Sequence, residues 1–237
     1  MNTNTYDPIG QAILDYAKNK KPFDIIVSSD ICEDDIIPIE VLFRNLKDMP
    51  EIEKKALKLC KGKVLDVGAG AGIHCQELIK NGLSTHALDS SQGSIEYLKN
   101  IGVSATLCSF ESFDSKTKFD TILMLMNGIG IAGTIATLEK TLLKAKSLLQ
   151  EGGQLICDSS DIRYLYEDED GSMWMDLNSE YYGNFRFQMH YKKISGPWFD
   201  WLYVDYDNLH RVATKVGFKS VKIMEQENHF LAQLTLV

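Results

Sequence analysis

From Lys63 onward, short apolar runs alternate with stretches whose apolar residues recur at helical spacing. This is the pattern of a parallel sheet covered by helices on both faces. Lys63–Val67 predicts a first strand that stops at a glycine-rich turn. A helix is predicted from about Gly72 to Asn81, with Cys75, Leu78 and Ile79 as its apolar stripe. Ser84–Leu88 predicts a second strand ending at Asp89, and Ser90 or Ser91 is suited to cap the helix that carries Ile95 and Leu98. Ala105–Cys108 reads as a short third strand. Thr121–Met126 is the most apolar segment, introduced by Phe119-Asp120 and stopped by Asn127-Gly128, and belongs in mid-sheet. A helix from about Thr134 to Gln150 and a strand over Gln154–Asp158 complete the regular part.

Beyond Ser159 the alternation breaks. Residues 161–180, with the acids Glu167–Asp170, read as an irregular excursion. Tyr182–Lys192 alternates like a strand, and Gly196-Pro197 predicts a turn into Trp198–Val204, giving an inserted hairpin. Asp205 or Asp207 caps a helix through Val216, ended by Gly217. Ser220–Glu225 and Phe230–Leu236 predict a closing antiparallel pair. Ahead of the core, Tyr6–Lys18 and Glu51–Lys61 look helical. Between them, Asp24–Val41 mixes apolar residues with Asp30, Glu33, Asp34 and Asp35, charges equally consistent with a solvated acidic loop. The expected organisation is an N-terminal cover at 1–62 and a core domain at 63–237, with an insert at about 160–204.

A chain of 237 residues accommodates one complete α/β domain. Its formal charge of −8 tilts against nucleic acid as a partner, because phosphate binding needs a basic face. No apolar run approaches the roughly 18 residues of a membrane span, and no secretory signal is recognisable, so a cytoplasmic protein is expected. Cys32, Cys60, Cys75, Cys108 and Cys157 are scattered and form no CxxC pair. No metal site is expected, and the thiols read as free.

The chemistry concentrates in Val64–His74, where glycines stand at 68, 70 and 72 and Asp66 precedes them by two positions. A dinucleotide fingerprint beginning at Gly68 needs glycine at position 73, which is Ile73. The spacing with Asp66 resembles motif I of the class I S-adenosyl-L-methionine (SAM) methyltransferases. The resemblance extends over Ile52–Leu107 and Lys118–Ser159, and by layout over the rest. It implies an α/β, Rossmann-like fold: a seven-stranded, mostly parallel sheet with an antiparallel last strand, an inserted β-hairpin and an N-terminal helical cover.

The resemblance also implies roles. Gly68, Ala69, Gly70 and Gly72 would wrap the methionine part of SAM, and Asp66 would meet its α-ammonium group directly or through water. Asp89 would take both ribose hydroxyls, with Ser90 beside it; its competing role is to cap the next helix. Ser109 stands where similar enzymes carry an acid for adenine, so Ser109 or Glu111 replaces it, with Phe110 flanking the ring. Met126 and Asn127 lie by the methyl-transfer point, and Arg44 is placed for the SAM carboxylate or as a surface arginine. His74 is expected at the loop or in solvent.

For the acceptor, the candidates are Tyr6, Asn127, Tyr164, Tyr182 and His190, with Tyr181, Trp174 and Trp198 as further aromatics or plain core. No residue stands out as a general base. The sequence lacks the (D/N/S)PP(Y/F), double-acid and Pro-Cys patterns of nucleic-acid and arginine methylation. Together with the charge, this favours a small-molecule acceptor. Protein methylation, a non-catalytic SAM binder and a nicotinamide oxidoreductase remain as alternatives.

Overall fold

The computed structural model describes residues 6–166 and 180–237. Its elements in chain order are α1 (Pro8–Asn19), β1 (Ile25–Ser29), β2 (Asp35–Ile37), α2 (Glu51–Leu59), β3 (Lys63–Val67), α3 (Ile73–Lys80), β4 (Ser84–Asp89), α4 (Gln92–Asn100) and β5 (Ala105–Leu107). There follow β6 (Phe119–Met124), α5 (Ile135–Leu148), β7 (Leu149–Ser160), β8 (Asn184–Tyr191), β9 (Ile194–Leu202), α6 (Tyr206–Val216), β10 (Phe218–Gln226) and β11 (His229–Leu236). Glu167–Asp170 and Trp174 lie outside the described residues.

Seven strands form one sheet in the order β10-β11-β7-β6-β3-β4-β5. The pairs β3–β4, β3–β6, β4–β5 and β6–β7 are parallel, while β11 runs antiparallel to both β7 and β10. This is the mostly parallel sheet with an antiparallel last strand that the sequence predicts. The apolar run of β6 explains its central place. Ile122 and Met124 pack on one face with Leu138 and Leu142 of α5 and Leu209 of α6. Leu123 and the following Leu125 pack on the other with Ile52 of α2 and Leu78 of α3. Successive side chains of one strand thus feed two cores.

The structure corrects several local expectations. The N-terminal segment is not a purely helical cover: β1 and β2 join β8 and β9 in an antiparallel sheet of order β2-β1-β8-β9. The hairpin reverses at Lys192-Lys193, with Lys192 at φ 53°. Gly196-Pro197 lies inside β9. Proline is tolerated there because β9 is an edge strand whose pairing with β8 shifts between Gln188 and His190. Strand β6 stops at Met124, since Met126 and Asn127 take left-handed φ values of 66° and 55°. Ile79, expected on the buried stripe of α3, is 44% exposed. Of the alternative caps, Ser91 and Asp205 are the ones realised.

Both ends of the small sheet are fixed over the main one. Asp7, which caps α1, accepts from the Ser91 hydroxyl at 2.9 Å and the Gly93 amide at 3.0 Å. Helices α1 and α4 meet at Gly10 and Gly93, where a Cβ on Gly93 would approach the Gly10 carbonyl to 2.5 Å. At this end Ile25 and Tyr191 of the small sheet are buried with Ile13 of α1 and with Ala71, just after β3. At the other end a Cβ on Gly130, after β6, would lie 2.3 Å from Trp201 Nε1. The small sheet therefore roofs the carboxyl ends of β3 and β6.

Candidate functional site

The loop after β3 is held by its own backbone. Gly68 and Ala69 donate to the Leu88 carbonyl at 2.8 and 3.3 Å, and Gly72 donates to Ala69 at 2.7 Å. Gly68, Gly70 and Gly72 all have positive φ, at 72°, 55° and 74°. Their surroundings differ. A Cβ on Gly72 would strike Leu98 at 2.4 Å, whereas a Cβ on Gly68 or Gly70 would meet nothing within 4 Å. Gly72 is therefore glycine for helix packing, and the other two keep a concave backbone surface open. The Ala69 side chain points into the core beside Cys75 and Leu98, leaving only its backbone at the loop.

Two acids support this loop from behind. Asp66 is 2% exposed and accepts from the Cys75 thiol at 3.1 Å. Burial pushes its pKa up, against the opposing effects of His74 and Cys75. Asp89 accepts from the Gly70 amide through Oδ2 and from the Ser91 amide through Oδ1, each at 2.8 Å. Its pKa is also raised by burial. The helix cap that competed for Asp89 is Ser91 itself, which accepts from Ser94 at 3.0 Å. Asp89 instead ties the glycine loop to the end of β4, with lone pairs to spare.

A cavity of about 520 Å³ opens beside these groups, between the ends of the β3–β5 strands and α5. Gly68, Asp89, Ser90, Ser109, Phe110 and Glu111 line it. Phe110 is 4% exposed, its ring part of the core. Ser109 accepts from the Ser112 amide at 3.3 Å. Glu111 is exposed and pairs with Lys140 of α5. The structure thus brings together the residues predicted for the ribose and adenine ends.

Arg44 is not a surface residue. Its guanidinium pairs with buried Glu53 and donates to the Val41 carbonyl at 2.6 Å. Glu53 also bonds His74 Nε2 at 2.9 Å, so His74 is buried in an ion-pair network rather than facing solvent. Burial alone would raise the pKa of Glu53, but the bonds from His74 and Arg44 overcome it and hold the acid below its usual value. Arg44 Nε is buried and has no hydrogen-bond partner among the described residues.

The turn after β6 is equally determined. Asp158, fully buried at the end of β7, accepts from the amides of Met126 at 3.2 Å and Gly128 at 3.0 Å. His229 of β11 bonds the same carboxylate at 2.9 Å, and Ser160 donates to the Asn127 side chain at 2.8 Å. Two consecutive non-glycine residues in left-handed conformation cost about 1–3 kcal/mol each, and this carboxylate holds them there.

The acceptor candidates are dispersed. Tyr182 donates to Asp161 at 2.8 Å and stacks near Tyr181, which bonds Asp205. Tyr164 is 52% exposed, and Tyr6 is 72% exposed beside the Asp7 cap. His190 pairs in register with exposed Ile26 and bonds Ser195 at 2.8 Å, on the outer side of the small sheet together with Trp198. It lies six residues along β8 from Asn184, about 20 Å at strand rise, and Tyr182 is in the turn before that strand. These residues do not share a pocket. Glu53, Asp158 and His229 were missed by sequence reasoning, as were the aromatics Phe187, Phe199, Trp201 and Tyr203 on the inner side. The period-two spacing of those rings was the available signal.

Among the described residues, no helix is long and apolar enough to cross a membrane, and no cluster of three His, Cys, Asp or Glu could hold a metal.

Comparison with known proteins assigns this architecture. Residues 58–217 match the model of a family described as a methyltransferase domain. A SAM-dependent methyltransferase from Bacteroides fragilis, solved with S-adenosyl-L-homocysteine, is 42% identical; the match covers 98% of this chain and 96% of that one, with a TM-score of 0.92. An amino pentose methyltransferase from Micromonospora echinaspora, involved in calicheamicin biosynthesis, shares 14% identity over 79% of this chain and 89% of its own, with a TM-score of 0.54. A sugar N-methyltransferase from a Streptoalloteichus species shares 12% over 83% and 92%, with a TM-score of 0.57. No curated protein matches the chain. The chain belongs to the methyltransferase-domain family. With the antiparallel β11 between β7 and β10, it is a class I SAM-dependent methyltransferase.

Proposed function

We propose that this protein binds SAM along the β3, β4 and β5 loops and methylates a small molecule admitted beneath the small sheet. The observation that carries the reading is the open concave backbone at Gly68 and Gly70, locked to Asp89. In this reading the backbone of Gly68, Ala69 and Gly70 wraps the methionine part, with Asp66 behind them and Gly72 closing the turn against Leu98. The Arg44 guanidinium, held in place by Glu53, supplies the positive charge for the carboxylate. The free lone pairs of Asp89 accept from the ribose hydroxyls beside Ser90, and Ser109 and Phe110 bound the adenine. When bound, SAM would supply a sulfonium methyl: the acceptor's lone pair attacks the methyl carbon in line, the acceptor–carbon bond forms as the sulfur–carbon bond breaks, and S-adenosylhomocysteine leaves as the neutral thioether. Met126 and Asn127, fixed by Asp158, border the transfer point. Their part is alignment and exclusion of water, which can be worth about 7–11 kcal/mol without a dedicated base.

The net charge of −8 supports a small-molecule acceptor over a nucleic acid. The sugar and amino pentose methyltransferases lend only their fold to the argument. Two measurements test the reading. Calorimetry should register binding of S-adenosylhomocysteine to the folded protein. Methyl-tritiated SAM incubated with the protein and a cell extract should label small metabolites. Absence of binding overturns the cofactor site, and label confined to macromolecules overturns the acceptor class.

A further inference from the structure

The inner side of the small sheet carries chemistry that the cofactor loops leave unused. Strand periodicity puts Phe185, Phe187 and Met189 of β8 on one side with Phe199 and Trp201 of β9, and Tyr203 follows at the same spacing. Phe187 stands 6.3 Å from Phe199 and 6.2 Å from Tyr203 between ring centroids, and Phe199 stands 6.1 Å from Trp201. Register adds an acid. Asp35 of β2 pairs with Val27, which pairs with Met189, so its carboxylate belongs to the same side.

Two anchors aim this side at the strand ends. Ile25 and Tyr191 bury against Ala71 of the glycine loop, and Trp201 touches Gly130 beyond β6. Between the anchors Phe187, Phe199 and Tyr203 are half-buried, and Asp35 is exposed. Burial, with neighbouring charges including Asp35, holds the Tyr203 hydroxyl up at about 12, so it serves as a neutral donor and not as a base. No strand position on this side is lysine or arginine. The outer side differs, since Arg186 there pairs with Asp200 and covers Trp198.

Ring faces attract a cation, and the Asp35 carboxylate on the same side of the sheet adds a charge-assisted acceptor. An anion meets no lysine or arginine among the described strand positions of this side and faces Asp35, and a neutral ligand leaves Asp35 unused. We propose that Phe187, Phe199, Tyr203 and Asp35 form the acceptor subsite and that it takes small molecules carrying a basic amine. This inference rests on the methyl-transfer reading above and names its acceptor class.

The test uses full-length protein saturated with S-adenosylhomocysteine, after binding of that product has been measured by itself. The complex is titrated with phenethylamine, phenethyl alcohol and phenylacetate, following Trp fluorescence. The amine should bind about tenfold more tightly than either analogue. Asp35→Asn should abolish most of that preference, and Phe187→Ala should weaken all three probes. The proposal is overturned if the alcohol or the acid matches the amine, if no probe binds, or if Asp35→Asn keeps the preference. Failure of S-adenosylhomocysteine itself to bind would bring down the cofactor reading as well, a distinguishable result.

Discussion

The floor and the roof of this site are made from different materials. The floor, formed by the loops after β3, β4 and β6, consists of backbone amides gathered by two carboxylates: half-buried Asp89 holds Gly70 and Ser91, and buried Asp158 holds Met126 and Gly128. The roof is a surface of side chains, rings from β8 and β9 beside an acid from β2. In the floor, one carboxylate serves several bonds, so its loss disturbs a whole loop. In the roof, single side chains can change and alter the ligand while the sheet persists.

The largest expected effect comes from the support beneath the floor. Glu53→Ala leaves Arg44 and His74 buried without their partner and should cost about 3–5 kcal/mol in urea unfolding at neutral pH. Because its pKa is lowered in the fold, Glu53 contributes fully above the unfolded value of about 4.3. That contribution fades as pH falls through the lower folded value, so the deficit should close in acid. An equal deficit at both pH extremes would reduce Glu53 to a packing residue.

Next comes Asp89→Ala. Loss of a charged, two-point acceptor should weaken S-adenosylhomocysteine by about 100-fold in calorimetry. An affinity within threefold of wild type would remove Asp89 from the ribose site.

The smallest effects sharpen the contrast most. Gly70→Ala puts a side chain at φ 55° but into open space, so stability should fall by only about 1 kcal/mol while S-adenosylhomocysteine affinity drops about tenfold. Gly130→Ala collides with Trp201 and should cost about 1–3 kcal/mol of stability with cofactor-product affinity unchanged. Similar responses from the two glycines would erase the distinction between the open cofactor loop and the packed seam where floor meets roof.

The floor was legible in the sequence because its determinants are local. Val64–His74 is contiguous, and Asp89 is marked by the end of its own strand. The roof was half legible: alternation gave the β8–β9 hairpin, but not its pairing with β1 and β2, which come from a distant segment, as where the Arg186 amide meets Asp30 across 156 positions. Taken alone, β1 and β2 are short and acid-flanked and read equally well as a solvated loop. Alternation divided Tyr182–Lys192 into two faces but not into inner and outer. The exposed Ile26 opposite His190 makes that assignment, and it exists only after pairing. Asp158 was visible as the end of a strand, yet its work is done on amides about 30 positions earlier.

Because α1 and α4 touch backbone to backbone at Gly10 and Gly93 and are tied through Asp7, one wall of the chamber is latched. Parting those helices would strip Ser91 and Gly93 of their acceptor. At the β2 edge the small sheet has no such latch: β2 is a three-residue strand that, among the described residues, pairs only with β1. A bulky residue at position 10 would press on the Asp7 carboxylate and the Ser91 hydroxyl and spring that latch while leaving the β2 edge as it is.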